Sequence, residues 1–463
     1  MILSFLLVQS IAITGVSVIP MDRERVLSDH TVIVRDGRIA TIGPRASVSI
    51  PTGAQRIDAA GKYLIPGLAD MHAHLQSDFG YLADSLAADE LMVMLANGVT
   101  TARIMIGRPL HLALRDSITR GKLVAPRLIV GSPQLSGRSF AEPHFNGIVV
   151  ATPEQAHAAV REAKARGYDF IKITFFISRP VFEAIIEEAA AQGIRVVGHV
   201  DPQVGLTRAL EAGQQIEHLD GYLEAVLAST SPLPQSVSGV YIWRRPHWET
   251  LDHIDSTKFA VVAGLTAHSK GIAAFATPTL TFLKLAFGTG QSDEEIRSRP
   301  DWKFLSAKSR EEMAGPRNQF WGDPPPEARR IRYVTARNRI VKAMADSGVK
   351  LMAGSDAPDW FLDYGWTLHR EMQNLVDAGL TPYQALLAAT RYPAEFSALL
   401  GAGAGDFGTI ESGKRADLLL LDANPFTDIH NTLKIRGVMV SGQWIPRERL
   451  DTALEEVARR IAP

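Results

Sequence analysis

With 463 residues, 46% hydrophobic and 21% charged, the chain has the make-up of a folded globular protein and too much apolar content for a disordered one. Its 49 Lys and Arg offset 50 Asp and Glu, which leaves no basic excess for nucleic acid or another polyanion. It holds no cysteine, so disulfides, thiolate metal sites and cysteine nucleophiles are excluded, and any metal must sit on nitrogen and oxygen.

Met1 to Val8 is a short apolar run with no basic residue ahead of it. It reads as a strand extension, which favours the cytoplasm; as a truncated export signal it would instead place the protein in the periplasm or outside the cell. Residues 10–19 and 31–42 have strand character, the second broken by the hairpin-type sequence Arg35-Asp36-Gly37-Arg38. Residues 416–422 and 435–445 are strand-like again. Neither end has enough strands to bury a core alone, so the economical reading is one small discontinuous β-sandwich built by both termini, residues 1–62 with 405–463.

Between them, over residues 63–404, strand-like and helix-like segments alternate. After the first strand, which ends at His74, further strands are expected at 99–106, 126–131, 170–176, 195–200, 215–219, 273–280 and 350–356. Eight strands alternating with helices predict an α/β fold, a (β/α)8 TIM barrel, whose chemistry belongs at the C-terminal ends of the strands. The stretches 229–270 and 284–326 are longer than barrel loops require and read as lid insertions. They carry Tyr241, Arg244 and Arg245, with Trp243, Trp248, Trp302 and Trp321.

The segment Leu64 to Leu75 runs into His72-Ala73-His74, and in a strand residues two apart share a face, so the two imidazoles can grip one metal ion. His72, His74, His199 and His218 fall at expected strand ends, with Lys172 and Asp356; the chain has 13 histidines, and the others are scattered elsewhere. Taken singly, each has a plain structural reading: a lysine at a strand end pairs with a carboxylate, and Asp356 in Gly-Ser-Asp-Ala-Pro caps a helix. Six such coincidences at five strand ends favour a metal site.

Pro66-Gly67-Leu68-Ala69-Asp70-Met71-His72-Ala73-His74, the lysine strand, Gly198-His199, Ile216-Glu217-His218, Gly354-Ser355-Asp356 and Gly413-Lys-Arg-Ala-Asp-Leu-Leu419 together resemble the amidohydrolase superfamily over nearly the whole chain. Within it the chain is most similar to the branch of imidazolonepropionase-like proteins and binuclear prolyl dipeptidases. The resemblance implies that His72, His74 and Asp356 hold a more buried divalent metal and His199 and His218 a more exposed one, zinc by donor type, with manganese or cobalt as alternatives. It implies that Lys172 bridges them as a carbamate formed with carbon dioxide, which replaces a cation that would repel two metals by an anion that can bind both. It also implies attack on a carbonyl by metal-bound hydroxide, with Asp356 as the proton shuttle. Mononuclear deaminases of the superfamily pair the strand-five histidine with a nearby glutamate. Here the chain reads His199-Val-Asp201-Pro-Gln, which counts against deamination unless Asp201 substitutes.

The expected substrate is a small molecule: a dipeptide, aminoacyl-proline among them, or an N-acyl amino acid whose carboxylate is held by residues of the active-face loops. Tyr241, Arg244 and Arg245 are the candidates, arginine because it offers a forked donor, with lid packing or surface charge as their plain reading; Arg138 and His144 follow strand three and could reach the substrate, His144 otherwise being an ordinary loop histidine. A lactone, cyclic amide or phosphotriester is the alternative on the same site, and imidazolonepropionase-type ring opening a third. A non-catalytic scaffold is disfavoured because all six ligand positions are kept. Family analogy suggests a homo-oligomer, and nothing suggests a membrane partner.

Overall fold

The computed structural model describes residues 10–139, 147–231, 248–286, 289–315, 326–358, 361–401 and 405–461. The two ends of the chain build one mixed sheet. In it β1 (Ser10–Val18), β2 (Leu27–Arg35) and β3 (Arg38–Pro44) form an antiparallel meander, and β4 (Gln55–Asp58) and β5 (Tyr63–Pro66) pair with β1 in parallel. The C-terminal strands β16 (Leu418–Leu421), β17 (Ile435–Val440) and β18 (Gln443–Pro446) continue from β5. Ile11, Ile13, Val32 and Val34 from the N-terminal strands bury with Leu418, Leu420 and Met439 from the C-terminal ones. Alternating residues of each strand thus face one apolar interior to which both ends of the chain contribute.

The segment expected as one strand from Leu64 to Leu75 is two. β5 belongs to the terminal sheet, and β6 (Leu68–Ala73) begins a parallel sheet with β7 (Val99–Ile104) and β8 (Arg127–Val130). The change of sheet occurs at Gly67, where a Cβ would lie 2.2 Å from the Thr100 hydroxyl, so only glycine allows the approach. A second parallel sheet runs β10 (Gly147–Val149), β9 (Gln134–Ser136), β11 (Phe170–Ile173), β12 (Arg195–Gly198), β13 (Gln215–Glu217), β14 (Phe275–Thr277) and β15 (Lys350–Leu351). All eight expected strands are present, though shorter than the sequence suggested; β9 and β10 were not expected.

Hydrogen bonds join the two parallel sheets at both edges. Gly131, after β8, bridges to Phe170, and Ser132 N donates to Phe170 O over 2.8 Å. On the other side Met71 N donates to Ala353 O (2.9 Å), Asp356 N to His72 O (2.7 Å) and His74 N to Ala357 O (2.8 Å). The segment ending in Asp356 is thereby sewn alongside the one ending in His74. The C-terminal helix Arg447–Ile461 buries Leu450, Leu454, Val457 and Ile461, and ties to the helix Ala87–Ala96 through Arg447 to Ala96 O and Arg460 to Asp89. No described helix is long and apolar enough to cross a membrane.

The loop after His74 rests on a buried carboxyl. Glu90 accepts from Gln76 N (2.6 Å) and from the Tyr364 hydroxyl, and burial pushes its carboxyl up to about 8. The folded protein therefore keeps a proton that the unfolded chain releases above about 4.5, and this contribution is lost as pH rises from there through about 8. Glu90→Gln keeps the shape without the titration, so its stability relative to the wild type should improve between pH 5 and pH 8 by an amount on the order of 3 kcal/mol. Urea midpoints at the two pH values measure it, and a pH-independent difference would refute the assignment.

Candidate metal centre

Five strand ends deliver the six expected side chains to one place. His72 lies in β6 and His74 directly follows it, Lys172 lies in β11, His199 follows β12, His218 follows β13, and Asp356 follows the segment beyond β15. Asp356 is the hub: its Oδ1 is 3.2 Å from His72 Nε2 and 3.3 Å from His74 Nε2, and its Oδ2 is 3.5 Å from His218 Nδ1. The His218 ring centre is 4.5 Å from that of His72 and 4.6 Å from that of His199, with which it stacks. Lys172 is buried, and its charge acts on His72, His199 and His218 alike.

The backbone at these positions is strained. His218 (φ 58°), Leu219 (φ 56°), Thr279 (φ 44°) and Asp356 (φ 59°) all sit in the left-handed region, which costs a non-glycine residue about 1–3 kcal/mol. Such strain persists where surrounding structure over-determines it, here at two of the six converging residues.

Burial sets the protonation states. It drives His72 and His199 well below the usual histidine value and His218 to about 4, which favours the neutral imidazole, while the Asp356 carboxylate pulls each of them the other way. Burial alone would raise the Asp356 carboxyl, but His72, His218 and His74 more than offset it and hold the group far below the normal carboxylate range. Burial also lowers the Lys172 ammonium to about 8.

Several ring nitrogens already have partners. His72 Nδ1 lies 2.6 Å from Glu217 Oε2, His199 Nδ1 2.7 Å from Asp220 Oδ2, and His218 Nδ1 2.8 Å from Thr279 Oγ1. Asp70 Oδ1 accepts from His72 N and from Ser355 N (2.9 Å), tying together the two segments that carry His72 and Asp356. With its proton on Nδ1 toward Glu217, His72 turns the Nε2 lone pair toward the Asp356 carboxylate. Two acceptors facing each other in a buried site suit a cation, and neutral imidazoles with a carboxylate suit zinc. His72, His218 and Asp356 each offer a ligand atom, all within 4.8 Å of one another.

The remaining expected residues divide. Arg138 is exposed and lies over the Phe176 ring, 3.7 Å from its centre, and the neighbouring Phe175 ring is 4.3 Å from that of His199, so Arg138 belongs to the rim. Asp201 is occupied by the backbone amides of Gln203, Phe176 and Ile177. His144, Tyr241, Arg244 and Arg245 lie outside the described residues, as do Trp243 and Trp321. Trp302 stacks on Phe361, with centres 6.1 Å apart.

The family model described as "Amidohydrolase family" matches residues 63–445. The chain belongs to the amidohydrolase family. Among curated relatives, adenine deaminase 2 of Bradyrhizobium sp. (strain ORS 278) is 24% identical over 425 residues, covering 89% of this chain and 54% of the relative. The chain thus spans about half the length of that relative. Imidazolonepropionases are also among the matches to this amidohydrolase. Among solved structures, bottromycin amidohydrolase superposes with a TM-score of 0.74 at 25% identity, over 98% of this chain and 91% of that one. A protein assigned as a prolidase, from Bifidobacterium longum, gives 0.68 at 25% identity, over 97% and 99%.

Proposed function

We propose that this amidohydrolase is a binuclear metal hydrolase that cleaves an amide bond in a small substrate with a free carboxylate, either a dipeptide such as aminoacyl-proline or an N-acyl amino acid. The observation that carries the reading is the convergence of four imidazoles, one lysine and one carboxylate at strand ends. The full-length match to a prolidase-type structure supports a dipeptide over other amides. The framework is read as a closed (β/α)8 barrel within residues 63–404, supported by hydrogen bonds at both sheet edges; β5, at the start of that span, joins the terminal sheet built by residues 1–62 and 405–463.

His72, His74 and Asp356 would hold one ion, His199 and His218 the other, and Lys172 as a carbamate would serve both. Bound metal supplies Lewis-acid polarisation of the carbonyl and acidifies water. The chain contributes the rest. A carboxylate oxygen of Asp356 takes the proton from the attacking water and returns it to the departing nitrogen. The Phe175 ring against His199 and the Phe79 ring 5.5 Å from His74 exclude bulk water from two sides. Arg138 at the rim, with His144, Tyr241, Arg244 and Arg245, is the proposed anchor for the substrate carboxylate.

The adenine deaminase match favours a second reading, removal of an exocyclic amine. Against it stands Asp201, at the place after His199 where a deaminase glutamate is expected, whose carboxylate is taken up by backbone amides. Zinc-loaded protein prepared with bicarbonate should therefore turn over aminoacyl-proline, other dipeptides or N-acyl amino acids, and leave adenine unchanged. Turnover restricted to lactones or phosphotriesters would overturn the amide reading, and ammonia release from adenine would establish the second.

A further inference from the structure

Arg103 is the largest fully buried side chain among the described residues, and it lies in β7, a strand that supplies none of the six converging groups. Its guanidinium reaches across the interior. Nε donates to Met71 O in β6, Nη1 to Gln215 Oε1 (2.9 Å) in β13, and Nη2 to Glu217 Oε1 in β13 and to Thr277 Oγ1 (3.2 Å) in β14. The rings of Phe170 and Phe396 lie 5.7 and 5.0 Å from it. Burying a full positive charge in such a place is costly unless it is paired and hydrogen-bonded, and Glu217, itself fully buried, is the pairing carboxylate.

Glu217 divides its two oxygens. Oε1 accepts from Arg103, and Oε2 meets His72 Nδ1 at 2.6 Å. A carboxylate can only accept, so the hydrogen at this contact belongs to the imidazole, and Nε2 is left with its lone pair toward Asp356. The guanidinium in turn fixes which way the carboxylate faces, because its donors come as a rigid fork. We propose that Arg103 and Glu217 are positioning residues that lock His72 in its Nδ1–H tautomer, and so determine how strongly the centre binds metal. This rests on the metal reading above but not on the identity of the substrate.

The decisive variant is Glu217→Gln, which keeps shape and volume. An amide turned so that its oxygen still accepts from Arg103 presents NH2 to His72 Nδ1, and the ring must then carry its own hydrogen on Nε2, where it blocks a ligand lone pair. Zinc affinity, measured on metal-free protein by competition with a chromophoric chelator, should fall about 10–100-fold. In [15N]histidine-labelled metal-free protein, two-bond 1H–15N spectra should show one ring changing from the Nδ1–H to the Nε2–H pattern. Arg103→Lys, which keeps the charge but loses the fork, should show a smaller loss of affinity and serves where the first variant fails to fold. Glu371→Gln removes another buried carboxyl, one that accepts from Leu280 N and Thr281 N, and should bind zinc as the wild type does. Unchanged affinity with an unchanged ring pattern in Glu217→Gln would overturn the proposal, and so would an equal loss in Glu371→Gln. Wild-type protein that binds no zinc would overturn the metal reading together with it.

Discussion

Lys172→Ala is expected to lower kcat/KM on the carboxylate-bearing amides by at least about a thousand-fold, equivalent to about 4 kcal/mol of transition-state stabilisation. The reason is electrostatic. Lys172 is 2% exposed and its charge acts on three of the four imidazoles, so an ammonium there opposes any cation that those imidazoles would hold. Burial brings it down to about 8, which leaves an appreciable neutral fraction near neutral pH. In the proposed reading the neutral amine would attack the carbon of carbon dioxide, the nitrogen would give up a proton to solvent, and the side chain would become an N-carboxylate. A group that was positive would become negative and gain two donor oxygens, which would reverse its effect on the proposed ions. Alanine can do none of this. Zinc content per chain should accordingly fall from two to one, read by elemental analysis after gel filtration, so the test does not depend on finding the right substrate. A variant that keeps both ions and full activity would remove the carbamate from the mechanism.

The distinction between what the sequence discloses and what it conceals follows from the range of each interaction. All six converging side chains are legible because each falls at or near an expected strand end, and strand ends in an alternating pattern point to one face. His72 and His74 need only the two-residue period. Their partners are harder to read. Glu217 and Asp220 stand beside the converging positions in the chain, yet which ring each one serves depends on which strands are neighbours: Glu217 is next to His218 but meets His72, and Asp220 meets His199. Arg103 did leave a signal, as the single charge in the apolar run Val99 to Ile106, but its destination across the interior is a tertiary fact. The break at Gly67 was hidden for a similar reason. Leu64 to Ala69 is apolar across the break because both sheets bury it, and hydropathy does not register a change of layer.

Asp356→Asn should lower kcat by about 10³–10⁴-fold with little change in KM, the pattern for a group whose contribution is made in the transition state. Asparagine matches aspartate in size but cannot accept a proton, and it sets an NH2 donor among His72, His74 and His218 at the point where a negative charge now lies within 3.5 Å of each. Two roles are therefore removed at once, and the leaving group separates them. If Asp356 also returns the proton to the departing nitrogen, an anilide or dipeptide, whose amine must be protonated to leave, should suffer the full loss. A p-nitrophenyl ester of the same acyl group leaves as an anion without that proton and should suffer about tenfold to a hundredfold less. Equal losses on amide and ester would confine Asp356 to holding metal and activating water, and the proton for the departing nitrogen would have to come from another group.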